Sequence, residues 1–146
     1  MIEFNGVIVE GEKSASGFSK NWNGYGSIYH QIEFIKNISP SFYDEVKKCK
    51  LATINILFED DILIGEWAYT FDKVFWLPHS DTWYEKISFI PIIFHFQNRD
   101  TKAWLYKPHK SPHKNRKNFF EIIAPEINNI KYNEKCKIKI NKSYIQ

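Results

Sequence analysis

Cysteine is scarce: Cys49 and Cys136 are the only two in 146 residues. Two are too few for a disulfide framework, and their spacing matches no metal site. Nothing in the chain therefore demands an oxidising compartment. No apolar run approaches the roughly eighteen residues that a membrane helix needs. The opening MIEFNGVIVEGEK has no basic stretch leading into a long apolar one, so no signal peptide is expected. These absences predict a soluble, cytoplasmic protein with no membrane partner. Internal repeats, low-complexity tracts and a Pro/Gly/Ser-rich linker are missing as well, which at this length predicts a single domain over residues 1–146. The chain has no HxH or HExxH spacing, which argues against zinc hydrolysis, and no GxSxG, P-loop or GxGxxG. Gly24-Tyr25-Gly26 is too short to count as one of these.

Aromatic residues, by contrast, are abundant. They make up 17% of the chain, with twelve Phe, eight Tyr and five Trp, alongside 43% hydrophobic and 25% charged residues. The overall balance is that of a globular domain, and the aromatic share favours pleated, half-buried surfaces and hence a β-rich fold. The net charge of +3 hides an asymmetry. Residues 1–98 carry 8 Lys/Arg against 13 Asp/Glu, whereas residues 99–146 carry 12 against 4. A basic final third suits an anionic partner such as a nucleotide phosphate or nucleic acid. It equally suits a solvated, lysine-rich surface.

Alternation and breakers place the elements. Residues 2–11 read as a strand, running into a small polar loop at 11–17. Residues 29–38 carry Ile32 and Ile35 at helical spacing, with Pro40 as the stop. Residues 51–58 form a strand that turns at Asp60-Asp61, and residues 74–77 form a short one closed by Pro78. Residues 86–96 form a strand that contains Pro91, which points to an edge or a bulge because proline cannot donate to the ladder. Asn98-Arg99-Asp100 turns the chain back into residues 102–106. Residues 119–124 form a strand stopped by Pro125, and residues 137–140 alternate Lys with Ile as a strand with one wet face. Many short strands with at most two short helices predict a mainly β fold, a small barrel.

Several residues have the chemistry of a site. Thr53 and Asn55 place a hydroxyl and a carboxamide two residues apart on one strand face. Both are neutral oxygen donors of the kind that holds Mg²⁺ beside substrate phosphates. Glu121 stands in an otherwise apolar strand, where it can hold a hydroxylated substrate, take its proton, or point into water. The loop at 107–118, KPHKSPHKNRKN, gathers Lys, Arg, His and Ser in a form suited to phosphate. His79 and His95 read as structural or surface residues.

Five segments, read in order, carry a resemblance. Ala52-Thr53-Ile54-Asn55 is similar to a Gly-Thr-Leu-Asn signature. Ile87-Ser88-Phe89-Ile90-Pro91-Ile92 is similar to a strand with a leucine-proline-isoleucine step. Trp104-Leu105-Tyr106-Lys107-Pro108 stands in place of a returning strand that ends in proline. Glu121-Ile122-Ile123-Ala124-Pro125 reproduces a Glu-Ile-Ile-Ala-Pro motif in full. Residues 132–140 stand where the final unit has Gly-Asp, here Asn133-Glu134. In this order and spacing the chain resembles the archaeal CTP-dependent riboflavin kinases.

The resemblance implies a six-stranded cradle-loop β-barrel that moves the CTP γ-phosphate to the riboflavin 5′-hydroxyl. Thr53 and Asn55 would then be the Mg²⁺ ligands, and Glu121 would bond the flavin and act in catalysis. The substrate-binding position eight residues before that glutamate is His113, with Ser111 supplying a hydroxyl nearby. Glu12, Lys13, Ser14, Ala15, Ser16 and Gly17 would form the nucleotide loop, bordered by Glu126, Ile127, Asn128 and Asn129. This chain departs from the family in that loop, where a Gly-x-Gly-x-Gly pattern gives way to serines at 14 and 16. Ala52 also replaces the signature glycine, and residues 44–50 read as an insertion. A second expectation is a non-catalytic barrel that binds a flavin or nucleotide as a sensor. Nucleic acid is disfavoured as a partner, because the sequence carries no RNP-like or recognition-helix signature.

Overall fold

The computed structural model describes residues 1–10, 28–49, 53–75, 84–109 and 116–146. Its strands are β1 (Ile2–Val9), β2 (Ile54–Phe58), β3 (Tyr69–Phe75), β4 (Tyr84–Phe96), β5 (Arg99–Pro108), β6 (Phe119–Ile123) and β7 (Lys135–Ile140). Two short helices, α1 (Ile28–Ile38) and α2 (Pro40–Val46), lie between β1 and β2. The sheet runs β3-β4-β5-β6-β2-β1-β7, every pairing being antiparallel, and β7 returns to β4. Six strands thus close a β-barrel, and β3 is an extra strand outside the ring.

Closure depends on β4, whose thirteen residues exceed the length of any one partner. One edge pairs with β5 from Ile87 to Phe96. The other edge is shared: β3 occupies it as far as Phe89, and β7 takes it from Ile93 to His95. Pro91 falls in the gap between these two partners, so its missing N–H breaks no ladder. The proline therefore sits in a central strand at a locally free edge.

Alternation then assigns the faces. Ile90, Ile92, Phe94 and Phe96 of β4 point inward with Ile56, Leu105, Ile122 and Ile138 to fill the barrel. Ile87 and Phe89 point outward and are covered by the helices. There Ile28, Ile32 and Ile35 of α1 and Phe42 and Val46 of α2 form a second core with Phe71, Val74, Tyr106 and Ile123. The first helical segment ends at Ile38, before Pro40, as the sequence predicts, and Pro40 also opens the first turn of α2, where no N–H is needed from it. The β4–β5 turn is the two residues Gln97 and Asn98, at φ 50° and 62°. Two successive positive φ values mark a type I′ hairpin, placed one residue earlier than the sequence predicts. No helix among the described residues is long and apolar enough to cross a membrane.

Candidate functional site

A polar row crosses the outer face of the barrel. Val9 pairs with Asn55, Asn55 with Glu121, Glu121 with Tyr106, and Tyr106 with Phe89. Thr53 lies two residues before Asn55 and so shares its face, and its Oγ1 donates to Glu121 Oε1 at 3.3 Å. Asn55 is 8% exposed. Thr53, Asn55 and Glu121 therefore stand side by side on one surface, outside the apolar interior.

Three residues not singled out in the sequence complete the group. Gln31 of α1 is 0% exposed and Glu85 of β4 is 5% exposed. The Tyr106 hydroxyl donates to Gln31 Oε1, and Gln31 Nε2 has no hydrogen-bond partner. The signal for Gln31 was its position on the apolar stripe Ile28-Gln31-Ile32-Ile35, where a polar side chain must find a polar target. Glu85 follows the same two-residue period as Ile87 and Phe89, which placed it under the helices.

Burial governs the chemistry of this group. It raises the Glu121 carboxyl from 4.5 to about 7; the Glu85 charge pushes the same way, and the Thr53 hydrogen bond opposes both. Tyr106 is pushed well above its ordinary range, first by burial and then by the Glu121 and Glu85 charges, and stays neutral. A carboxyl that titrates near neutrality can donate or accept a hydrogen bond, or exchange a proton, at physiological pH. Both thiols are inert by contrast, since burial pushes Cys49 up to about 11 and Cys136 up to about 12.

The donor set bears on a metal. Among the described residues no three His, Cys, Asp or Glu side chains converge. A cation beside this face would be held by the Thr53 hydroxyl, the Asn55 carboxamide oxygen and the Glu121 carboxylate. Such hard, mostly neutral oxygens fit Mg²⁺, which keeps much of its water, and do not fit zinc.

The remaining expected residues are placed as follows. Residues 126–129 leave β6 at the end where Thr53 precedes β2, given that Ile54 pairs with Ile122. Glu126, Asn128 and Asn129 are exposed there, Asn129 at φ 64°, while Ile127 packs against the barrel interior. Glu12, Lys13, Ser14, Ala15, Ser16, Gly17, Ser111 and His113 lie outside the described residues.

The described basic residues around the 107–118 loop stand apart from Glu121. Lys107 alternates with Tyr106, and Phe120 with Glu121, so both face the barrel interior. Lys107, His109, Arg116 and Lys117 line a separate cavity of about 390 Å³ at the barrel mouth. No protein-family model matches the chain, and no curated protein matches it in sequence.

Proposed function

We propose that the chain is a riboflavin kinase-like phosphotransferase that moves the CTP γ-phosphate to the riboflavin 5′-hydroxyl. The observation that carries this reading is the juxtaposition of Thr53, Asn55 and Glu121 on one barrel face, with 3.3 Å between Thr53 Oγ1 and Glu121 Oε1. Thr53 and Asn55 would hold Mg²⁺, which when bound neutralises charge on the transferring phosphate. Glu121 keeps its proton to about pH 7 and so offers a neutral carboxyl to the flavin. Tyr106 and Gln31, bonded to each other, fix the wall behind it. Residues 126–129 stand at the Thr53 end, where the nucleotide would lie. Phosphoryl transfer is largely positioning and electrostatics, so the group needs no protein nucleophile.

One observation favours a second reading, a binding module that does not turn over. The Thr53 hydroxyl is already engaged by Glu121, and a ligand must displace that bond to use it. Conversion of riboflavin to FMN with CTP and Mg²⁺ separates the two readings, measured by chromatography for the wild type and Ser14→Gly/Ser16→Gly. The kinase reading expects turnover that the glycines raise and Asn55→Ala abolishes. A thermal shift by riboflavin or CTP without turnover in either form establishes the module. No shift with any ligand overturns both.

A further inference from the structure

The cavity at the barrel mouth lies on the side of the sheet opposite Glu121, and the reaction proposed above does not use it. Its volume of about 390 Å³ falls in the ~300–1,000 Å³ range of small-ligand sites. Among the described residues, four basic side chains line it and no Asp or Glu does. The rest of the wall is mostly apolar: Ile62, Leu63, Ile64, Trp67 and Phe120.

The walls are already fixed. Backbone N–H groups tie Ile62 to the Lys117 carbonyl at 2.7 Å and Gln146 to the Leu63 carbonyl at 2.8 Å. The Lys107 ammonium sits 5.5 Å from the centre of the Phe120 ring. Arg116 sits 4.9 Å from the centre of the Phe119 ring. His109 Nε2 meets Ser88 Oγ at 2.8 Å, and that hydroxyl meets Thr70 Oγ1 at 2.9 Å. The His109 ring also stands edge-on to Trp67, with centroids 6.0 Å apart. Burial weakens the proton hold of Lys107 and His109, and for His109 the Lys86 and Lys107 charges add to it. Like charges gathered in a partly dry cleft repel one another, and an anion between them relieves that repulsion.

We propose that this cavity binds a small aromatic phosphate monoester. The ring lies against Trp67 and Phe120, and the phosphate sits between Lys107, Arg116 and Lys117. Several cations around one opening suit a dianion better than a carboxylate, and the half-buried indole supplies a flat apolar surface for the ring. His109, held by Ser88, adds a neutral polar wall.

Phenyl phosphate, inorganic phosphate, phenol and benzoate serve as probes, titrated by calorimetry at low salt. The indole N–H resonance of Trp67, assigned by its loss in Trp67→Phe, locates the binding. Phenyl phosphate is expected to bind at least tenfold more tightly than any of the other three and to shift that resonance. Lys107→Met and Arg116→Gln should each weaken it at least fivefold. Lys117→Gln, an exposed change that leaves the fold intact, should weaken it about threefold and keeps the test open if the other two variants misfold. Equal affinity for phenyl phosphate and inorganic phosphate would remove the ring site, and equal affinity for phenol would remove the phosphate site. Binding that all three variants retain, or that leaves Trp67 unmoved, overturns the proposal. So does a 5′-phosphorylated oligonucleotide that binds a hundredfold more tightly than phenyl phosphate, since the surface would then read a polymer.

Discussion

Glutamine in place of Glu121 should make stability less dependent on pH, in a direction fixed by the carboxyl's surroundings. Folding raises this group from 4.5 to about 7. Each tenfold change in proton affinity is worth about 1.4 kcal/mol, so the displacement amounts to roughly 3 kcal/mol. Below about pH 4.5 the carboxyl is neutral in both folded and unfolded chains, and its burial carries no charge penalty. Between 4.5 and 7 the unfolded chain releases the proton while the folded chain keeps it, so stability falls as pH rises. Above pH 7 both are ionised, and the folded chain bears the whole cost. Glutamine stays neutral throughout and can still accept the Thr53 hydrogen bond. Urea denaturation from pH 4.5 to 8.5 should therefore find the variant close to wild type at the acid end and about 3 kcal/mol more stable at the alkaline end. A constant difference across that range would refute the claim that Glu121 is held neutral by burial. The same experiment tests the metal, because a nearby cation favours the ionised carboxyl. Mg²⁺ should narrow the difference at pH 8 and should fail to do so in an Asn55→Ala background.

Two further substitutions test the packing around this group. Tyr106→Phe leaves Gln31 Oε1 without its donor and should cost about 1–3 kcal/mol in urea denaturation. Adding Gln31→Leu should recover most of that loss, and strictly additive costs would show that the pair is not coupled. Phe42→Ala removes a ring whose centroid lies 4.5 Å from that of Tyr69, 4.8 Å from Phe89 and 5.2 Å from Trp104. Its expected cost is about 3–5 kcal/mol. Hydrogen exchange should quicken in α1 and α2 more than in β5 and β6, and a loss below 1 kcal/mol would show the helices to be held by something else.

Much of the barrel was legible because its strands alternate. The Lys-Ile repeat ending at Ile140 gave β7, and the apolar run broken by Glu121 gave β6. The shared face of Thr53 and Asn55 followed from their spacing alone. What local pattern could not convey was contact across the sequence. Pro91 suggested an edge or a bulge, and only the division of β4 between β3 and β7 explains how it sits in a central strand. Pro40 marked the end of α1 at Ile38 correctly, but its second role, opening the first turn of α2, had no separate local signal. Gln31 and Tyr106 are 75 residues apart, and the mouth cavity draws on residues from Ile62 to Gln146. The basic loop suited phosphate; of its described residues, alternation along β5 turns Lys107 to the side of the sheet opposite Glu121, while residues 110–115 lie outside the described ones.

The ring also has an order of assembly in time. β1 pairs with β7 through Ile2–Ile140 and Val7–Lys135, so one of the first strands made waits for one of the last. Synthesis at about 5–20 residues per second leaves β1 without that neighbour for several seconds. The edge of β4 that receives Ile138 stays open only for the last part of that interval. Exposed edges of this kind recruit strands from other chains. Lysine recurs along β7 at positions 135, 137 and 139, and charge on a late strand hinders it from adding to the wrong sheet before its own is ready. A nascent chain stalled before residue 135 should therefore self-associate more readily than one stalled after β7 is complete.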